Sequence, residues 1–408
     1  MNDDVGSLAA PRGPYSLSER IDVCRGVFAM LVVVAHSFEL AITLDPTWAD
    51  GMPWLVRQAV AYGPGVGTYY VMGFFILSGY CIQGSVGRSS SGRRFSLGRY
   101  MAARATRILP LYYIALAFAA AVEWSIPTAL RPHFWYNNLD ADAVGYQLLM
   151  VQNLTKNFGS FSSSWSLTNE AAYYLLFGVL AAMCVPAGRK PAAAGMAACA
   201  GLGLLLQATY RMGFRDPIIL KIGLLAGLGA VWHLGALVEI HGAALLRQSP
   251  TLARAARFWP AALAATMATY ASQRIHQEFI YLGAGATFAL MMLRFVDLEL
   301  RRGGAGGVDP SPRRLPRLLG LSSYPVYLFH GPILILLGTG VRALGWSPAW
   351  WVAWLAAATT TVALCFPLGT LLEAPLLAWR AGVLRRLKPA RPAPTPAAAQ
   401  GPALGATP

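Results

Sequence analysis

The sequence predicts an all-α, polytopic membrane protein of about ten transmembrane helices with both termini in the cytoplasm, and three observations predict it. Of 408 residues, 56% are hydrophobic and only 12% charged, with a mean hydropathy of +0.47, too apolar and charge-poor for a water-soluble domain. Ten segments, about 21–42, 63–84, 107–125, 165–186, 191–210, 217–240, 257–272, 275–296, 319–341 and 348–378, approach or exceed the roughly twenty apolar residues that cross a hydrocarbon core of about 30 Å as a helix. The basic residues follow the bilayer. With a cytoplasmic N-terminus, 25 of the 33 Lys and Arg fall on the cytoplasmic side, seven on the other, and Lys221 within a span, as the positive-inside rule expects for ten helices.

That distribution excludes a nucleic-acid-binding face as the meaning of the net charge of +15. Cys24, Cys81, Cys184, Cys199 and Cys365 lie within or at the ends of apolar segments and form no CxxC, so neither a disulfide framework nor a metal site is expected. Asp3 and Asp4 stand where a signal peptide would carry basic residues, so no removable signal is expected. Residues 1–20 read as a cytoplasmic segment, 21–379 as the membrane domain, and 380–408 as a basic and then Pro/Ala-rich tail whose composition builds no core. Residues 85–106 are expected to form a basic cytoplasmic loop that ends in a short helix leading into the third span. Residues 126–164 form the longest external segment, in which the short apolar piece 143–151 is expected at the interface or re-entering the membrane. With no appended soluble domain and no internal repeat, any chemistry belongs within the bundle.

In the first span, RGVFAMLVVVAH places Arg25 and His36 eleven residues apart, which is three helical turns and about 20°, with a rise of roughly 16 Å. They share a face, Arg25 near the cytoplasmic interface and His36 near the midplane, where an ionisable side chain usually faces a cavity or a partner. Read singly, Arg25 is equally an interfacial anchor and His36 an interhelical hydrogen-bonding residue. Ser78 and Gly79 interrupt the second span, and such a small pair admits a ligand or a neighbouring helix. Arg104 and Arg107, one turn apart at the entry of the third, suit a phosphate-bearing ligand through bidentate contacts, or anchor the helix. Glu170 enters the fourth span from outside. Tyr327 lies one turn before His330, which again approaches the midplane, and Glu373 nears the cytoplasmic end of the last span, where balancing an arginine is the plain alternative.

Taken together these blocks resemble the acyltransferase-3 integral-membrane acyltransferases. I21-D22-V23-C24-R25-G26 running on to His36 is similar to the family's first helix. FFILSGY, RATRILPLYY, SWSLTNEAAYYL, YPVYLFHGP and EAP are similar to later family motifs, in order from residue 21 to 375. Cys24 stands where leucine is usual and Pro325 where a small residue is usual; neither alters an ionisable group. The resemblance implies a ten-helix enzyme of the bacterial cytoplasmic (inner) membrane that moves an acyl group, commonly acetyl, from cytoplasmic acyl-CoA to a sugar hydroxyl of a surface polysaccharide or glycolipid. On that reading Arg104, Arg107 and Arg25 bind coenzyme A phosphates, His36 is the general base with His330 in reserve, and Glu170 orients His36 or binds the acceptor. A multi-span transporter or flippase is the rival class, since intramembrane ionisable residues also mark transport pathways. It favours repeated halves, and none is visible.

Overall fold

The computed structural model describes residues 15–62, 66–90, 95–132, 138–186, 190–272, 277–303 and 313–387. Expectations for residues 1–14 and for the tail from 388 onward lie outside the described residues, as do Arg12, Arg93, Arg94, Arg189, Arg274, Lys388 and Arg391 of the basic-residue count. In chain order the helices are α1 (Leu17–Leu44), α2 (Trp54–Tyr62), α3 (Thr68–Ser90), α4 (Leu97–Ser125), α5 (Ala141–Leu148), α6 (Trp165–Cys184) and α7 (Pro191–Arg211). They continue with α8 (Pro217–Gln248), α9 (Pro250–Ala255), α10 (Trp259–Ala271), α11 (Gln277–Gly303), α12 (Arg314–Ala343), α13 (Trp350–Cys365) and α14 (Ala374–Arg386). No strand occurs among the described residues. The protein is an all-α polytopic membrane protein.

Among the described residues nine helical stretches are long and apolar enough to span a bilayer; the last, Trp350–Arg386, unites α13 and α14 through a π turn. The segment expected at 257–272 contains only the 13-residue α10, about 20 Å long. Packing nevertheless makes it a crossing. Gly285 meets Val231, and Gly242 meets Leu293, so α8 and α11 run parallel and the chain must return between them. Tyr270, near the end of α10, packs on Tyr62, the last residue of α2, and on Tyr69, at the start of α3. Among the described residues the chain therefore traverses the bundle ten times, and the start of α1 at Leu17 and the end of α14 at Arg386 fall on one face.

That face is the basic one. Ser16 begins α1 with a capping box: its Oγ accepts from Glu19 N–H at 3.3 Å, and the Glu19 carboxylate accepts from Ser16 N–H at 2.8 Å. The other Glu19 oxygen accepts from the Arg313 N–H at 3.0 Å, tying the start of α1 to that of α12. These two helices run parallel, with Gly26 so close to Leu319 that a Cβ there would lie 2.7 Å from the leucine side chain.

On the opposite face, Arg131 pairs with buried Glu123 at 3.0 Å. Glu123 also accepts from the Ser160 N–H, and Arg342 donates to the Arg131 carbonyl. This latch holds the buried 3-10 turn Gly159–Ser164 against α4 and α12. The expected short apolar piece forms α5, which is half submerged: Ala143 and Gln147 are buried and Leu148 and Leu149 exposed. Asp140 caps α5; the Lys156 ammonium 2.6 Å away, together with the Ala143 N–H, holds its carboxyl below the usual range. Lys221 reaches the same face and donates to the carbonyls of Leu154 and Thr155 at 3.3 and 2.7 Å.

Candidate active site

A cavity of about 170 Å³ lies between α1, α3, α4, α6 and α12. Its polar lining is Arg25, Ser78, Cys81, Arg104, Arg107, Ser166, Glu170, Tyr174, Ser323, Tyr324 and Tyr327. Six of the ten residues singled out in the sequence thus meet at one cavity.

Helical periodicity explains the convergence. On α3, Phe74, Ser78, Cys81 and Ile82 recur at helical spacing and line one wall. On α4, Arg104 and Arg107 do the same at the end nearer the basic face. Their surroundings differ. Arg107 is tied to the buried carboxylate of Glu373, which the π turn Gly369–Glu373 carries inward, and its guanidinium stacks over Tyr324 at 5.3 Å. Arg104 stacks over Tyr100 at 5.7 Å, and its buried Nε has no hydrogen-bond partner. Arg380 donates Nε and Nη2 to the Ala103 carbonyl at 3.3 and 3.2 Å, bracing the turn that carries Arg104. Of Arg104 and Arg107, Arg104 has the greater capacity left for an anion.

Glu170 lines this cavity together with Ser78, Tyr174, Arg25 and Arg107. Trp232 Nε1–H donates to Ser78 Oγ at 3.1 Å, and Ser78 Oγ lies 3.0 Å from the Tyr174 hydroxyl. An indole only donates, so Ser78 Oγ is the acceptor in the contact with Trp232. The Ser78–Gly79 pair divides its labour: Ser78 faces the cavity and Gly79 faces α8, where the Trp232 carbonyl would lie 1.9 Å from a Cβ.

The far end of the cavity is lined by Phe74, Ser166 and Tyr327. The Tyr327 hydroxyl lies 2.7 Å from Ser166 Oγ and donates to the Ser163 carbonyl at 2.6 Å. One turn on along α12, the His330 ring lies 6.0 Å from that of Tyr327 and stacks on His36 at 5.2 Å with 22° between planes. His330 is fully buried, and its Nδ1 is 3.2 Å from the Val326 carbonyl. A carbonyl only accepts, so that contact assigns the proton to Nδ1. His36 is partly accessible and its Nδ1 lies 3.1 Å from the Glu39 carboxylate, an arrangement that likewise leaves Nε2 as the basic nitrogen. Arg25 lines the cavity and His36 lies just beyond its lining residues, and the carboxylate beside His36 is Glu39 rather than Glu170.

Sequence reasoning missed Glu39, Ser166, Tyr174 and Tyr324. The last three lie inside the quoted motif blocks, and Glu39 follows His36 at i+3, a spacing that places two side chains together on a helix.

A family profile describing an acyltransferase domain matches residues 18–370. Comparison with curated proteins returns no match, and neither does comparison with solved structures. The matched region contains the first five of the six motif blocks, together with the whole cavity and the histidine pair, and ends three residues before the closing Glu373-Ala374-Pro375. The chain belongs to the acyltransferase-3 family and is a multi-pass membrane acyltransferase.

Proposed function

We propose that this acyltransferase takes its acyl group, acetyl in the simplest case, from cytoplasmic acyl-CoA and delivers it to a sugar hydroxyl of a surface polysaccharide or glycolipid in the bacterial inner membrane. The observation that carries the reading is the order of groups through the bundle: arginines at the basic-face end of the cavity, Ser166 and Tyr327 at its floor, and the His36–His330 pair one turn beyond. A donor whose phosphates rest on Arg104 and Arg25 would extend its thioester past Tyr327 towards the histidines. The rise of roughly 16 Å between Arg25 and His36 sets the length of that arm.

His36 then acts as general base. Its Nε2 takes the proton of the acceptor hydroxyl as the oxygen bonds to the thioester carbonyl carbon. The carbon–sulfur bond breaks, and the imidazolium returns the proton to the departing thiolate. Glu39 holds the productive tautomer and stabilises the transient imidazolium. His330, stacked on His36, is the alternative base. Glu170, among the arginines, orders the donor side.

The two carboxylates should therefore separate kinetically. Glu39→Gln should lower turnover about tenfold with the donor KM nearly unchanged, and Glu170→Gln should raise the donor KM; steady-state kinetics with acyl-CoA varied reads both, and identical phenotypes would sink the assignment. Arg104→Ala should raise the donor KM by roughly tenfold or more, as expected for a lost charge-assisted contact, with Lys restoring part of it. Arg107→Ala should also lower the amount of folded protein, because it strands buried Glu373. A donor KM unmoved by Arg104→Ala would place the phosphates elsewhere.

The sidedness rests on the arginine asymmetry. A reporter active only outside the cytoplasm should be silent when fused after Ser249 and active after Gly213; the reverse pattern would invert the site.

A further inference from the structure

The floor of the cavity has a hydrogen-bonding polarity that follows from counting protons. Tyr327 has a single hydroxyl proton, and the Ser163 carbonyl 2.6 Å away can only accept, so that proton is committed to it. Ser166 Oγ is 2.7 Å from the same tyrosine oxygen. With the tyrosine proton already placed, the Ser166 proton must point at Tyr327. Ser166 also lines the cavity, and what its oxygen has left to offer there is a lone pair. Ser163 cannot easily turn away, because the buried turn that carries it is latched by Ser160 N–H to Glu123 and by Glu123 to Arg131. The floor therefore accepts a hydrogen bond and does not give one.

The chemical class that matches is an N–H or O–H donor on the substrate, at a depth one turn short of the histidine pair. On the acyl-CoA reading above, on which this inference rests, the arm carries an amide N–H two methylenes from the sulfur. With the thioester carbonyl at His36, that amide falls back by about one helical turn, to the level of Ser166. We infer that Ser166 Oγ accepts the amide N–H nearest the thioester and thereby sets how far the acyl group advances towards His36. Ser166 is thus a specificity-determining residue for the donor: it favours an arm with an amide at that position over one with an acceptor only.

The test pairs two donors with two proteins: acetyl-CoA and an analogue in which that amide nitrogen is replaced by an ester oxygen, each with wild type and Ser166→Ala. Wild type should use the ester analogue with kcat/KM about tenfold below acetyl-CoA, because one buried hydrogen bond is lost and an acceptor left unpaired. Ser166→Ala should lose about the same factor with acetyl-CoA and show no further loss with the analogue. A donor KM that rises while the acceptor KM stays fixed shows that the variant is folded. An equal penalty for the analogue in both proteins, or none in wild type, would overturn the role of Ser166 while leaving the acyl-CoA reading intact. Wild type that neither binds nor turns over acetyl-CoA would overturn the donor reading, and this inference with it.

Discussion

His36→Ala should insert into the membrane and bind acyl-CoA normally, yet transfer acyl groups about 10²–10⁴-fold more slowly, the usual contribution of a positioned general base. The separation of donor cavity and histidine pair makes the prediction specific. Arg25, Arg104, Glu170 and Ser166 line the cavity, and His36 lies beyond the Tyr327 floor, stacked on His330. Removing its ring touches none of the cavity-lining contacts. Donor affinity should therefore stay within about twofold by equilibrium binding while turnover collapses in the same preparation. Near-normal turnover in His36→Ala, with His330→Ala inactive, would move the base to α12.

Gly79→Ala should cost about 3 kcal/mol or more and remove most of the folded protein, a far larger effect than a methyl group usually has. At this position α3 and α8 touch backbone to backbone. A Cβ on Gly79 would lie 1.9 Å from the Trp232 carbonyl oxygen, and one on Gly235 would lie 2.2 Å from that of Ile76. Neither clash is with a flexible side-chain end, so the helices must part, and close small-residue packing is the main force joining helices in lipid. Overpacking in a core costs about 1–3 kcal/mol and occasionally more, and here the parting also breaks the Trp232–Ser78 hydrogen bond at the cavity wall. Gly87→Ala on the same helix is the control, since nothing lies within 4 Å of its Cβ position and helix propensity favours alanine by about 1 kcal/mol. Comparable yields of monodisperse protein from the two variants would contradict the packing account.

Much of the fold can be read from the chain because lipid imposes simple rules. Apolar length marks the spans and arginine position distinguishes the faces. Helix α10 fits those rules only in part: apolar sequence marks 257–272 as a span, but the helix there has 13 residues, and the parallel packing of α8 on α11 is what makes it a crossing. The site is legible in part. Arg25, Ser78, Arg104, Arg107, Glu170 and Tyr327 stand out as polar residues in apolar runs, and they share a cavity. Their partners do not stand out. The hydrogen bond from Trp232 to Ser78 joins residues 154 apart in sequence, and that between Ser166 and Tyr327 joins residues 161 apart; both exist only through helix packing. Glu39 lies near the end of its span, where a carboxylate passes for an ordinary interfacial residue until the His36 contact is seen. Arg107 and Glu373 each read alone as a ligand contact or a charge balance, and the structure joins them to one another.

The central claim is that an acyl group from the basic face ends as an ester on a sugar hydroxyl, through His36. Mass spectra of surface polysaccharide and glycolipid from cells carrying the wild-type protein or His36→Ala, taken before and after mild alkali, test it most directly. The account predicts alkali-labile acyl increments with the wild type that are absent, or reduced to a trace, with the variant. Identical spectra from the two strains, with both proteins present in the membrane at equal levels, would contradict it.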